Sequence, residues 1–242
     1  MPAVRRFEVR FGPDEGQIPL VPAVATALWV PHRLRGRVSA PQPLYPRRAM
    51  AIASPPTDEA LTTRPFTVDE VMQMCEVGII GEDEHVELLW GQLVEVSPQG
   101  PPHITPVRSL VTRLARLYPE AYEISPAGPI LATVDSLPEP DLAVVRVPEG
   151  GFRDRHARAD ECVLVIVVSV SSQRLDRRKA ALYAIAGAPR YWNVDMPARR
   201  VLVYEEPRPD GTYALTRQVP IEDELILPEI EVPIRLSDYT AT

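Results

Sequence analysis

One apolar run constrains the fold of this chain more than any other feature. The run, ECVLVIVVSVS at residues 161–171, is nearly all β-branched, and such side chains favour extended strands. Because the run shows no alternation of apolar and polar residues, it predicts a central strand that is covered on both faces. A helix is predicted to follow from about Leu175 to Ala186, since Gly187 stands at its C-cap position and Pro189 lies just beyond.

Further helices and strands are predicted on both sides of this run. Thr67 and Glu70 form a capping-box pattern that opens a helix of about ten residues in TVDEVMQMCEVG. A second helix is predicted in HITPVRSLVTRLARLYP at 103–119, where Pro106 fits only the first turn. Two short strands are predicted around Trp90-Gly91 in VELLWGQLVEVSP, and further strands in AYEIS, GPILATV, PDLAVVRV, RYWNVD, RRVLVYEE and TYALTRQV. This order predicts an α/β sheet with helices on its faces.

The N-terminal segment has a different composition. Residues 1–49 contain eight Pro, eight Arg and three acidic residues, which makes a charge of +5. The proline spacing would break a helix or a strand. We therefore predict a mostly disordered Pro/Arg-rich extension over residues 1–63 and a folded domain over residues 64–242. Natural translation from Met50 and a loose basic arm that touches DNA or a partner are both compatible with this composition.

The overall charge and the apolar runs exclude some classes of protein. A formal charge of −7 argues against a protein that coats nucleic acid by bulk electrostatics, although a local basic site remains compatible with it. Cys75 and Cys162 lie far apart without zinc-ligand spacing, which favours free thiols in a reducing cytoplasm. No apolar run reaches the roughly 18 to 20 residues of a membrane span. We expect a cytoplasmic protein without a membrane partner.

A few polar residues occupy positions suited to chemistry. Lys179 is the only lysine of the chain, beside 25 arginines. Glu139 and Asp141 flank Pro140 at the start of an apolar strand, where a carboxylate is either a turn residue or a metal ligand. His103 opens a helix, where capping or a phosphate contact is expected. The arginines at the start of the last predicted helix either contact phosphate or form a solvated face; they are Arg174, Arg177 and Arg178.

Several blocks together resemble a known family. In order and spacing, VELLWGQLVEVSPQGPPH, SLPEPDLAVVR, LVIVVSVSS, DRRKAALYAIAGAPRYWNVD and RRVLVYEEP are similar to the Uma-two family, whose members are classed as restriction endonucleases in the PD-(D/E)XK nuclease superfamily. The resemblance covers about residues 64–240. It implies a restriction-endonuclease-like core with a central mixed β-sheet flanked by helices. It also implies Mg²⁺-dependent hydrolysis of DNA phosphodiesters and, by analogy, a homodimer.

The resemblance carries roles onto individual residues. Asp141 matches the metal-binding Asp after proline, and Lys179 matches the lysine four residues before a tyrosine, here Tyr183. Glu87 matches the N-terminal Glu, and His103 matches the histidine at the helix start. The resemblance therefore implies that Asp141, Lys179 and Glu87 are catalytic and that Asp141 holds the metal. It also leaves His103, Arg177 and Arg178 as candidate phosphate contacts.

The chain departs from the family at the centre of this pattern. Val167-Val168 stands where the family has Glu followed by Val, and Trp90 and Gln92 replace acidic residues. The helix start, DRRK, is also one residue short, a change that could turn Lys179 by about 100°.

Mg²⁺ held by a single protein carboxylate is weakly bound, and only Glu139 or Glu87 is placed to supply a second one. We therefore predict an endonuclease-family protein with a weakened Mg²⁺ site at Asp141 and Glu139 and impaired catalysis. The alternatives are a pseudoenzyme that binds DNA or a protein partner, and a decaying duplicate without a selected role.

Overall fold

The structure is a computed structural model that describes residues 63–97 and 99–240. The predicted N-terminal extension lies outside the described residues except for residue 63, and its boundary stays a prediction. The helices are α1 (Val68–Glu76), α2 (Pro101–Leu117), α3 (Gln173–Ile185) and α4 (Ser237–Thr240). The strands are β1 (Val86–Leu89), β2 (Gln92–Glu95), β3 (Tyr122–Pro126), β4 (Ile130–Leu131), β5 (Leu142–Arg146), β6 (Ala157–Arg158), β7 (Cys162–Ser169), β8 (Arg190–Asp195), β9 (Arg200–Pro207), β10 (Tyr213–Pro220), β11 (Glu224–Leu227) and β12 (Val232–Arg235).

A six-stranded mixed sheet forms the centre of the fold, in the order β10-β9-β8-β7-β5-β3. Strand β7 lies inside this sheet, and all of its residues are buried, which confirms the predicted central strand. It pairs antiparallel with β5 and parallel with β8. Because parallel neighbours need a crossover connection, α3 leads from β7 across one face of the sheet to β8.

Alternate residues of the central strands face different helices. Ile166 and Val168 of β7 belong to a buried cluster that contains Leu110 and Leu114 of α2. Their neighbours Val165 and Val167 belong to a second cluster, which contains Ala180, Tyr183 and Ala184 of α3. The sheet is thus covered by helices on both faces, which confirms the predicted α/β architecture. Val167 lies on the face that carries α3.

Helix α1 and the β1–β2 hairpin pack beside the main sheet. The capping box of α1 is present, with Thr67 and Glu70 bonded reciprocally, as predicted. The hairpin pairs Leu89 with Gln92 and so leaves Trp90-Gly91 as a two-residue turn. A bridge from Leu88 to Leu137 connects this hairpin to the segment that leads into β5.

Two local predictions were wrong. Helix α2 begins at Pro101, so Pro106 lies inside the helix and not in its first turn; the helix start at Gly100 lacks the side-chain cap that would have marked it in the sequence. In GPILATV, only Ile130–Leu131 forms a strand, because it pairs with a short segment, Ala157–Arg158.

Both cysteines are free, with Cys162 buried and Cys75 half-buried. Among residues 63–97 and 99–240, no helix combines the length and the apolar character that a membrane crossing requires.

Candidate active site

Asp141 lies directly before β5 and is tied to two other elements. Its Oδ2 accepts a hydrogen bond from the backbone N–H of Val168, at 2.6 Å. Its Oδ1 lies 3.0 Å from Nε2 of Gln99, which donates to it, and 3.1 Å from Nε2 of His103. The carboxylate is only 7% exposed. Asp141 therefore joins β5 and β7 to the start of α2, and both of its oxygens already have donors.

Val167 occupies the strand position beside this aspartate. Leu142 pairs with Ile166 in the antiparallel β5–β7 ladder, so Asp141, one residue earlier, lies opposite Val167. The valine is 5% exposed and packs in the cluster of Ala180 and Tyr183. A carboxylate at this position would lie next to Asp141, whereas a valine offers neither a metal ligand nor a hydrogen-bond partner.

Lys179 and Glu87 form a buried ion pair between α3 and β1. The lysine Nζ lies 2.8 Å from Oε1 and 2.7 Å from Oε2 of Glu87. The side chains are 5% and 6% exposed. Lys179 therefore points into the protein, and the short helix start has not turned it toward solvent.

Glu139 lies within electrostatic reach of this ion pair. Burial and the negative charge of Glu87 raise the pKa of Glu139 to about 7, although the positive charge of Lys179 opposes the shift. The Glu139 carboxyl therefore takes up a proton near neutral pH. The structure thus brings three of the predicted residues together: Glu87, Glu139 and Lys179.

Replacing Glu139 with glutamine is expected to remove a pH dependence of stability. Because its pKa is raised on folding, Glu139 favours the folded state at low pH, and this contribution is lost as the pH rises from about 4.5 toward 7. Its size is at most about 3 kcal/mol, and less where water screens the carboxylate. Urea unfolding of both proteins between pH 4.5 and 8 measures it. If the free energy of unfolding depends on pH in the same way in both proteins, the burial of this carboxyl is contradicted.

His103 is the third residue of α2 and lies inside the site. Burial opposes its protonation, but the hydrogen bond and the charge of Asp141 outweigh this effect and raise the pKa of His103. Its Nε2 lies against Asp141, and its buried Nδ1 has no hydrogen-bond partner. Because this Nδ1 is buried, it is not exposed to a phosphate in this structure, and the phosphate contact of His103 stays a prediction.

Tyr183 is fully buried and lies one helical turn after Lys179 on α3. Burial raises the pKa of its phenol, and the charges of Glu87 and Asp141 add to this shift. The phenol has no hydrogen-bond partner. In the sequence, Tyr183 serves only to identify Lys179, which precedes it by four residues. That spacing places both residues on one helix face, and it is the feature of the sequence that points to Tyr183.

A buried polar network, absent from the sequence predictions, fixes the start of α3. Asp176 is 3% exposed and accepts hydrogen bonds from Ser169 Oγ at 2.7 Å and Ser172 Oγ at 2.5 Å. Asn193 donates to Ser169, and the Tyr191 hydroxyl donates to the Asp176 carbonyl. The network ties α3 to β7 and β8 three residues before Lys179, and therefore positions that lysine.

The exposed arginines of α3 lie on different sides of the helix. Arg178 places its guanidinium 5.2 Å from the centroid of the Trp90 ring. Arg177 is near β9 instead, where its charge lowers the pKa of Tyr204 against the larger raising effect of burial. The two predicted phosphate contacts therefore face different surroundings.

The donor set of this arrangement does not fit a hard divalent cation. Both oxygens of Asp141 accept N–H donors, and both oxygens of Glu87 lie against an ammonium. Val167 adds no oxygen, and residues 63–97 and 99–240 contain no group of three His, Cys, Asp or Glu side chains placed to hold a metal ion. Mg²⁺ requires several oxygen ligands, and the oxygens of Asp141 and Glu87 are already paired with donors. Ligation by Asp141 and Glu139 stays a prediction.

Comparisons with known proteins agree with the fold. A solved structure described as "a putative nuclease belonging to DUF820 from Anabaena variabilis ATCC 29413" is similar, with a TM-score of 0.59 and 16% sequence identity over 73% of this chain and 98% of that chain. This likeness shows the fold alone and confirms the predicted nuclease-like core. A search of curated proteins found no match. The Uma2 family model, described as "Putative restriction endonuclease", matches residues 68–237, and because this range is well over half of the sequence, the chain belongs to the Uma2 family.

Proposed function

We propose that this chain binds DNA, as a member of a nuclease family, and that its own hydrolysis of phosphodiesters is impaired. The observation that carries the proposal is Val167, which lies opposite Asp141 at the position where a second carboxylate would complete a cation site. Family membership supports a nucleic-acid substrate. Loss of that carboxylate removes a ligand without removing the fold, because valine packs well in the apolar cluster under α3.

Local charge supports DNA binding in spite of the net charge of −7. Arg174, Arg177 and Arg178 are exposed on α3, the same helix that carries Lys179 into the site. If these three arginines neutralise about three phosphates, the logarithm of the binding constant should fall with the logarithm of salt concentration with a slope of about −2 to −3.

Hydrolysis would need a second carboxylate from Glu87 or Glu139, and the electrostatic proximity of Glu139 to Glu87 and Lys179 favours a role for these residues. The alternative is an inactive module of nuclease fold that binds DNA or a protein partner. The predicted homodimer stays a prediction, and light scattering of the purified protein tests it.

Nicking of supercoiled plasmid with Mg²⁺ or Mn²⁺ tests the proposal, with Asp141→Ala as the matched control and salt-dependent DNA binding measured in parallel. We expect DNA binding together with nicking that is slow or absent. Slow nicking that Asp141→Ala abolishes indicates an impaired enzyme, and nicking equal to that of the control indicates a binding module. Rapid nicking that depends on Asp141 would contradict the proposed impairment, and absence of DNA binding would contradict the proposed function.

A further inference from the structure

The hairpin turn next to the site contains an unusual residue. Trp90 and Gly91 form the two-residue turn between β1 and β2, and both have positive φ, 50° and 71°. A two-residue hairpin turn of this kind favours Asn, Asp or Gly at its first position, because other side chains clash with the backbone in the left-handed region. Trp90 therefore occupies a position where local geometry disfavours it, and turn formation does not explain its presence.

The backbone of this turn is held in place from two sides. The Trp90 N–H donates to Ser136 Oγ at 2.9 Å, and the Gly91 N–H donates to the Asp135 carbonyl at 2.7 Å. The Gly91 carbonyl in turn accepts from the Phe66 N–H at 2.9 Å. The indole is thus attached to a fixed part of the fold, so little conformational entropy would be lost when a ligand packs against it.

Two consecutive residues of α3 contact this hairpin in different ways. Lys179 turns inward to the buried Glu87. Arg178 turns outward, is exposed, and lies over the ring of the half-buried Trp90 at 5.2 Å. The Trp90–Arg178 pair therefore lies at the rim of the site, immediately beside the ion pair inside it.

We propose that Trp90 and Arg178 form a stacking platform for one unpaired base of single-stranded DNA, an inference that rests on the proposed DNA binding. Aromatic rings and guanidinium planes are the groups on which unpaired bases stack. Arg174 lies one helical turn before Arg178 on the same helix face, where it can contact the neighbouring phosphate. A base inside a duplex has both faces covered by its neighbours and cannot use this platform.

The chain offers a well-matched pair of variants to test this platform. Trp90→Asn removes the ring but places a residue that the turn geometry favours, so the hairpin is retained. Trp90→Tyr keeps an aromatic ring. Anisotropy of a labelled single-stranded oligonucleotide measures binding to the full chain and to both variants, beside the duplex of the same sequence and a single strand with an abasic position at its centre.

We expect the unmodified chain to bind the single strand more tightly than the duplex, and Trp90→Asn to weaken binding of the single strand on the order of tenfold. Trp90→Tyr should retain most of the affinity. The abasic strand should bind the unmodified chain more weakly but should lose no further affinity with Trp90→Asn. Thermal unfolding of each variant verifies that the fold is intact.

Two other results separate this inference from the proposed function. Binding of duplex and single strand with equal affinity, unchanged by Trp90→Asn, would overturn the platform and leave DNA binding standing. In that case the Trp90–Arg178 contact only stabilises the packing of the hairpin against α3. Absence of binding to all three oligonucleotides would overturn both proposals.

Discussion

Replacement of Lys179 by methionine is expected to lower the free energy of unfolding by about 3–5 kcal/mol. The variant keeps most of the side-chain volume but leaves the Glu87 carboxylate without its ammonium partner, and both side chains are almost fully buried. A buried carboxylate without a partner must either remain charged at high cost or take up a proton. Since whole domains are stable by only about 5–15 kcal/mol, this loss is large. Urea unfolding at neutral pH measures it.

The matched control is the double variant Glu87→Gln with Lys179→Met. It removes both charges, so no buried ion remains unpaired, and burial of the glutamine amide costs less than burial of a lone carboxylate. We therefore expect the double variant to be clearly more stable than Lys179→Met alone. Equal stability of the two variants would indicate that the lysine contributes through the packing of its aliphatic chain and not through the ion pair.

Replacement of Val167 by glutamate is expected to make stability depend on divalent cations. Without metal, the new carboxylate would be buried opposite Asp141, and like charges in a buried site are strongly unfavourable, so the variant should melt below the unmodified chain. A cation bound between the two carboxylates would reverse this loss. At about 100 times its Kd, such a cation stabilises the folded state by about 2.7 kcal/mol. Thermal unfolding in chelator and in Mg²⁺ or Mn²⁺ measures the shift.

Val167→Gln provides the control, because it has the same size as glutamate without the charge and should show no comparable dependence on the cation. Calorimetry should likewise detect tighter Mn²⁺ binding to Val167→Glu than to the unmodified chain. If Val167→Glu and Val167→Gln respond alike to the cation, the position at 167 does not face Asp141 in the way that the β5–β7 register indicates.

Several parts of the fold were predictable because their signals are local. The buried β7 run, the capping box of α1 and the helix between the parallel strands follow from side-chain type and spacing. Pro106 inside α2 was not predictable, because packing of the apolar face of α2 on the sheet outweighs the missing hydrogen bond. The two-residue strand Ile130–Leu131 likewise exists only through its pairing with a distant segment.

The candidate site was predictable to a smaller extent. Asp141 and Lys179 were identified by position and by resemblance, and Glu87 by the resemblance alone. The partners of these residues were not predictable, since Glu87 and Lys179 lie 92 residues apart and Gln99 meets Asp141 across 42 residues. The network around Asp176 also joins residues of three elements, and no spacing in the chain marks it.

The amino-acid sequence specifies which chemical groups are available, a single lysine and an Asp after proline among them, and the family resemblance implies that Val167 stands where other members have a carboxylate. How these groups interact depends on the packing of the folded chain. In the folded chain, the Lys179 ammonium contacts Glu87, and both Asp141 oxygens accept hydrogen bonds from N–H donors. Burial also raises the pKa of Glu139. Charge interactions depend on distance and desolvation, and both are set when remote strands and helices pack together.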